Sequence, residues 1–287
     1  MQQVKTLLQY NDLVRQAKEN GKIQFTNFYL GKEQLDRYIE KGRLYYQIGE
    51  WGIAFFCDEE SYYQCIGYFN LLKPVVLEKC DKKVLFRILY KEDRVEKNMV
   101  IFEKQLSEIG FSKVDMTRQY VLEPKKRMER YKKLYQASKK ILESKGFVIE
   151  SPTQEDAFKI REVLYGTDIL KDFHYTYKDD EEIKRDIAEG AYLCVKDADG
   201  NICAVNRVYV RKGMAEADGI AIVEAYKKHG FSVAISTKRY LLLNQRGDVE
   251  KVQGWIIDTN LTSIKYHTDL GWEKTNRCAN EWIWECR

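Results

Sequence analysis

At 287 residues, with 44% hydrophobic, 13% aromatic and 32% charged side chains, the chain falls outside the disordered and collagenous classes, and its length suits about two domains. Its formal net charge of +4 gives no call for a nucleic-acid or membrane partner. Its seven cysteines form no C-x-x-C pair and sit mostly in apolar runs, as Cys57 does in IAFFC, which points to reduced core thiols and a cytoplasmic location, with no disulfide frame and no metal site.

The opening MQQVKTLLQYNDLVRQAKENG has the spacing of an amphipathic helix and lacks the apolar core of a signal peptide. No run reaches the roughly 18 apolar residues of a membrane span. IQFTNFYL is a strand candidate, and KEQLDRYIEKG a short helix stopped by glycine. RLYYQIGEWGIAFFCDE, SYYQCIGYFNLL and KKVLFRILY are rich in β-branched and aromatic residues and predict a sheet. KNMVIFEKQLSEIGF has helical spacing, and KVDMTRQYVLEP alternates as a strand that stops at Pro124.

From Lys125 to Lys145 one helix face carries Met128, Tyr131, Tyr135, Ser138 and Leu142 and the opposite face is basic. This segment is expected to be a solvated connector, giving domains 1–124 and 147–287 joined by 125–146. Beyond it follow strand, two helices, three strands turning at Asp199-Gly200 and Lys212-Gly213, then EAYKKHGFSVAISTKRYLL, the strand KVQGWIID, the helix NLTSIKYHTDLG, and two closing strands, WEKTNRC and NEWIWEC. The segments EKQLSEIGFSKVDMTRQYVLE and IKYHTDLGWEKTNRCANEWIWE share a helix, a Gly-aromatic pair and a strand, as an internal duplication would leave them.

The stretch Lys227-Lys228-His229-Gly230-Phe231-Ser232-Val233 combines two lysines and a glycine at a predicted helix start. A helix start offers unpaired N–H donors and a positive dipole end, and glycine lets an anion approach the backbone. By itself the stretch reads as a basic turn capping a helix. Asn260 is followed by Ser263, His267, Gly271 and Trp272 at spacings of three, seven, eleven and twelve.

With its strand order, this second half, about residues 147–287, resembles the Gcn5-related N-acetyltransferase (GNAT) superfamily. The resemblance implies an α/β (α+β) fold of two tandem GNAT-like domains, each a mixed, mostly antiparallel sheet flanked by helices, with the first copy degenerate. It implies that the backbone of His229–Val233, supported by Lys227 and Lys228, holds the pyrophosphate of acetyl-CoA or another acyl-CoA. Lys227 stands where Gln or Arg is usual in the family, and Ser232 where Gly or Ala is.

The acyl-pantetheine arm would enter as an extra strand beside the backbone of Ile220, Ile222 and Val223, with Gly254 at a bend or close approach in the facing strand. His267 stands where the family's thiolate-protonating Tyr is commonest, with Tyr266 just before it; it is a candidate acid or else a helix-surface histidine. Glu216, with Asp218 on its face, is a candidate base or else a solvated acid. Phe173, His174, Tyr175 and Tyr177 lie in a loop that overlies the acceptor site in the family, or that only packs. The implied activity is direct acyl transfer to an amine-bearing acceptor. Aminoacyl transfer from charged tRNA on a similar fold, and a non-catalytic acyl-CoA-binding or scaffolding module, are the alternatives.

Overall fold

The computed structural model describes residues 1–20, 23–27, 30–166 and 178–285. The expected loop residues Phe173, His174, Tyr175 and Tyr177 lie outside them. The chain divides into two compact units: Met1–Arg118 with Ile257–Asn260 and Asn276–Arg287, and Gln119–Ile256 with Leu261–Thr275.

In the first unit the elements run β1 (Gln2–Gln3), α1 (Leu7–Asn20), β2 (Phe25–Thr26), α2 (Lys32–Glu40), β3 (Leu44–Gly49), β4 (Gly52–Asp58), β5 (Tyr62–Phe69), β6 (Lys83–Lys91), α3 (Lys97–Glu108) and β7 (Ser112–Leu122), whose end passes into the second unit. Among the described residues of IQFTNFYL the strand is the two-residue β2. The sheet order is β1-β3-β4-β5-β6 and then the C-terminal strand β13 (Glu273–Trp284) and β7. Strand period decides which face each residue covers. On β4, Ile53, Phe55 and Cys57 meet Tyr10 and Leu13 of α1 and Leu35 and Tyr38 of α2, while Ala54 and Phe56 turn to the core that holds Phe102 and Leu106 of α3.

The second unit contains α4 (Met128–Glu143), β8 (Val148–Glu150), α5 (Ala157–Gly166), α6 (Asp180–Ala188), β9 (Tyr192–Lys196), β10 (Ile202–Arg211), β11 (Met214–Ile222), α7 (Phe231–Arg246), β12 (Lys251–Ile257) and α8 (Leu261–Leu270). Its strands follow the order β12-β11-β10-β9-β8. Neighbours are antiparallel except β11 and β12, which are parallel and joined by the α7 crossover. Cys194 and Val205 face α5 and α6, and Leu193 and Ala204 face α7.

Three expectations change. The segment 125–146 is not a solvated connector: a short 3-10 turn, Pro124–Arg127, leads into α4, whose Tyr131 is fully buried against Tyr240 of α7 and donates its phenol hydrogen to the Leu270 carbonyl at 2.7 Å. The predicted apolar face was right, and it is covered. The two closing strands are one, because Arg277–Trp284 forms an unbroken antiparallel ladder with Val84–Lys91 of β6. That ladder places Asn276–Arg287 in the first unit, so the division differs from 1–124 and 147–287.

The internal echo has a structural counterpart. Gly110 after α3 and Gly271 after α8 take left-handed φ of 96° and 95°. In each case the next aromatic N–H, of Phe111 or Trp272, reaches back to the carbonyl five residues earlier, Leu106 or His267. Both aromatics are buried. Each pair ends a helix with a glycine turn and drops an aromatic into the core.

Candidate active site

The site in the second unit begins at a separation of two strands. β11 and β12 pair in parallel from Met214↔Lys251 to Glu216↔Gln253 and no further, although both strands continue. Gly254 stands at the vertex, where an added Cβ would lie 3.3 Å from the Ala217 carbonyl oxygen and 3.4 Å from the Trp272 ring, so the expected close approach is real. Just beyond, β11 is bulged against β10: Asn206 pairs with Ile220 and Val208 with Ala217, leaving Asp218 and Gly219 opposite Arg207. A bulge bends its strand and increases local twist, which turns the end of β11 away from β12. Gly219 supplies the left-handed φ of 102° at that point.

The bulge is tied to α7 by a chain of buried polar groups. The Asn206 amide donates to the Gly219 carbonyl at 3.2 Å and accepts from Arg239 Nε at 3.1 Å, and the Arg239 guanidinium also donates to the carbonyls of Gly190 and Ala191. Burial lowers the Arg239 pKa to about 10. Carbonyl oxygens on β10 and before β9 thus hold a cation inside the unit, locking α7 to the sheet. A buried arginine in the apolar run AISTKRYLLL was the available sequence signal, and sequence reasoning passed over it.

After β11 the chain makes a 3-10 turn at Glu224–Tyr226 and enters α7 through Lys228, with φ 70°, and the N-cap Gly230, with φ 82°. Gly230 has no side chain to cap the helix, which leaves the N–H groups of Phe231, Ser232 and Val233 without intrahelical acceptors. A Cβ on Gly230 would meet nothing within 4 Å. The turn is held from behind: Tyr226 donates to Asp197 Oδ2 at 2.9 Å, and Asp197 closes the β9–β10 hairpin by accepting from the N–H groups of Asp199 and Asn201.

The side chains of this turn divide by role. His229 faces inward, its ring edge-on to Phe147 at 5.4 Å and stacked on Phe231 at 5.7 Å, which leaves its backbone as the part of the residue at the helix start. Lys227 is exposed and paired with the exposed Glu224 at 2.5 Å, which offsets its charge locally. Lys228 is exposed. Ile220 and Ile222, on the part of β11 that has left β12, are half-buried beside α7, and Val223, just past the strand, is half-buried beside α5.

Glu216 is the last residue of β11 paired to β12 and stands opposite Tyr209 of β10. Burial, and then the Asp218 carboxylate, raise its pKa; Arg211 and Arg207 oppose the rise. Asp218 is held by the buried Arg207 at 2.6 Å. His267 of α8 is edge-on to Tyr266 and Trp272 at 4.9 and 5.1 Å. Its Nδ1 lies 2.7 Å from the Ser263 carbonyl, a contact that requires Nδ1 to carry hydrogen and leaves the Nε2 lone pair free in the neutral ring. Burial lowers its pKa, so it is neutral at pH 7. Ser263 supplies that acceptor and a hydroxyl 3.2 Å from the same nitrogen. Tyr266, not His267, reaches α7: its hydroxyl sits 2.7 Å from the Ser232 carbonyl and 2.8 Å from Ser236 Oγ. Asn260 belongs to the first unit, where its N–H donates to the Ile257 carbonyl at 2.9 Å.

No protein-family model and no curated protein matches the chain. Solved structures do. A tandem GNAT protein from the clavulanic acid biosynthesis pathway is 11% identical and covers 100% of this chain and 98% of its own, with a TM-score of 0.54. The chain has the tandem GNAT fold. A GCN5-related N-acetyltransferase from Sphaerobacter thermophilus covers 82% of this chain and 76% of its own at 10% identity and TM-score 0.53. Another from Kribbella flavida covers 87% and 92% at 11% identity and TM-score 0.50. At these identities the likeness is one of fold. Within the GNAT fold the strand separation after Glu216 and the uncapped start of α7 belong to the second copy. The first copy has the parallel pair β5 and β6 with no helix in the connection between them.

Proposed function

We propose that the second unit binds acetyl-CoA or another acyl-CoA and transfers the acyl group to an amine by direct attack, without a covalent enzyme intermediate. The observation that carries this reading is the coincidence of a strand pair opened by a bulge with an uncapped helix start at the end of the same strand. The residues present suit the group. Three unpaired N–H donors at a helix N-terminus, approached over a glycine with open space where a Cβ would be, suit a pyrophosphate.

Backbone groups of Phe231, Ser232 and Val233 would hold the phosphates, with His229 and Gly230 shaping the approach and Lys228 adding charge. Lys227 contributes less, being paired with Glu224. The backbone of Ile220, Ile222 and Val223 would accept the pantetheine arm as a strand, and a N–H near Ile222 would carry charge developing on the carbonyl oxygen. A bound acyl-CoA supplies an activated acyl group and a thiolate leaving group.

An amine attacks only when unprotonated, and Glu216 would take its proton, directly or through water. Its raised pKa brings it nearer the pH at which a base is both ionised and effective. His267 is neutral with Nδ1–H committed to Ser263, so it would protonate the thiolate only as a relay that has first taken up a proton at Nε2. Titration calorimetry with acetyl-CoA tests the binding step; folded protein that takes up no ligand at millimolar concentration refutes it. Release of CoA thiol over a panel of amines tests the transfer, and binding without release would make the protein a sensor.

A further inference from the structure

The first unit repeats the strand separation seen in the second, and fills it. β5 and β6 pair in parallel from Tyr62↔Lys83 to Cys65↔Phe86 and then separate. Into the space beyond Cys65 runs β2, paired antiparallel to the outgoing half of β5 through Phe25↔Phe69 and Thr26↔Tyr68. The Gln24 N–H donates to the Phe69 carbonyl at 2.9 Å, and Thr26 Oγ1 donates to the Gly67 carbonyl at 2.8 Å. Asn27 closes the vertex: its buried side-chain amide donates to the Cys65 carbonyl of β5 at 2.9 Å and to the Arg87 carbonyl of β6 at 3.4 Å, while its Oδ1 accepts from the Gly67 N–H at 2.8 Å. One side chain thereby satisfies backbone groups on both parting strands. Phe25 seals the side by stacking on Phe102 of α3 at 4.5 Å, and Asn98 of α3 donates to the Gln24 carbonyl. In the second unit no other strand among the described residues pairs with the outgoing half of β11 on its β12 side.

We propose that Gln24–Asn27 is a built-in plug, a segment of the chain that occupies in the first copy the slot an acyl-pantetheine strand would take in the second, with Asn27 as its lock. The plug confines acyl-CoA to one site per chain. It acts together with the loss of the phosphate cradle, since the β5–β6 connection has no helix whose N-terminus could bind an anion. The plug's effect on stoichiometry rests on the acyl-CoA reading of the second unit; the occupancy of the slot does not.

Two measurements on the full chain separate these. In calorimetric titration with acetyl-CoA the wild-type protein takes up one equivalent, and Gly230→Glu takes up none. Two equivalents in the wild type, or one that survives Gly230→Glu, would mean that the first slot admits ligand and would overturn the plug. No uptake by any protein refutes the acyl-CoA reading, and amide exchange then decides the plug alone. In the wild type the Gly67 and Gln24 amides exchange slowly. In Asn27→Ala the Gly67 amide accelerates by about tenfold or more, while amides of β11 and α7 keep their rates. The nearly isosteric Thr26→Val, which removes the hydroxyl that bonds the Gly67 carbonyl and keeps the shape, gives a smaller acceleration in the same amides. Fast Gly67 exchange in the wild type would show that the slot is open, and the proposal would fail.

Discussion

Glu216 of β11 and Gln253 of β12 form the last parallel pair before the two strands part, so the candidate base stands at the mouth of the slot whose walls it helps define. The strand after it is bent by the bulge at Asp218 and Gly219, and the bulge is anchored through Asn206 to Arg239. Position and environment of this carboxylate thus come from the same local geometry.

Replacing Glu216 by Gln is expected to lower kcat by about 10²–10⁴-fold at neutral pH and to remove the acid limb of the pH–rate profile. The stability effect has the opposite sign. Because the folded state raises the Glu216 pKa, folding favours the protonated acid, and the wild type loses stability as pH rises through the unfolded and then the folded pKa. Glu216→Gln avoids that loss, so its Tm should exceed the wild type's at pH 7 and converge with it near pH 4. Thermal melts across that range decide the matter.

Gly230→Glu should abolish acyl-CoA binding with limited harm to folding. An L-residue at φ 82° costs roughly 1–2 kcal/mol, and a Cβ there meets nothing within 4 Å, so Tm should fall by only a few degrees. The carboxylate would project where an anion is expected. Calorimetry and a melting curve on the same sample check both halves of the statement.

His267 is held neutral by burial, with its folded pKa below the ordinary value. Folding therefore favours the neutral ring, and the wild type loses stability as pH falls through the unfolded value of about 6.5 toward the folded one. His267→Phe should lose less on going from pH 7.5 to pH 5. A Tm difference between the two proteins that does not change over this range would contradict the assignment.

Tyr131→Phe tests whether α4 is a core element of the second unit. Removing the hydroxyl leaves the buried Leu270 carbonyl without this donor, at a cost of about 1–3 kcal/mol, whereas a change on a solvated connector would cost almost nothing. Denaturant unfolding monitored by fluorescence measures the difference.

Much of this was legible along the chain. Period-two and helical spacing located nearly every element, because burial of one face imposes that spacing. The glycine-aromatic pairs Gly110-Phe111 and Gly271-Trp272 were legible as helix ends, since a left-handed turn selects glycine locally. The basic turn before α7 was visible for the same reason: Gly230 answers a local backbone demand. The plug was not legible, because β2 is two residues long and its meaning lies in what it pairs with. Likewise nothing in TNRCAN announces that the strand runs on without a turn to ladder with β6, nearly two hundred residues away in sequence.

The sequence alone thus located most of the elements, the echo between the halves and the turn that could cradle an anion, all features set by neighbours within about a dozen positions. Only the tertiary structure decided where β11 and β12 part, that Arg239 and Asn206 hold the bulge, that Tyr266 and not His267 reaches α7, and that Asn27 fills the corresponding vertex in the first unit. These depend on hydrogen-bonding groups meeting across distant segments, and a buried polar group declares its partner only when the fold has brought the two together.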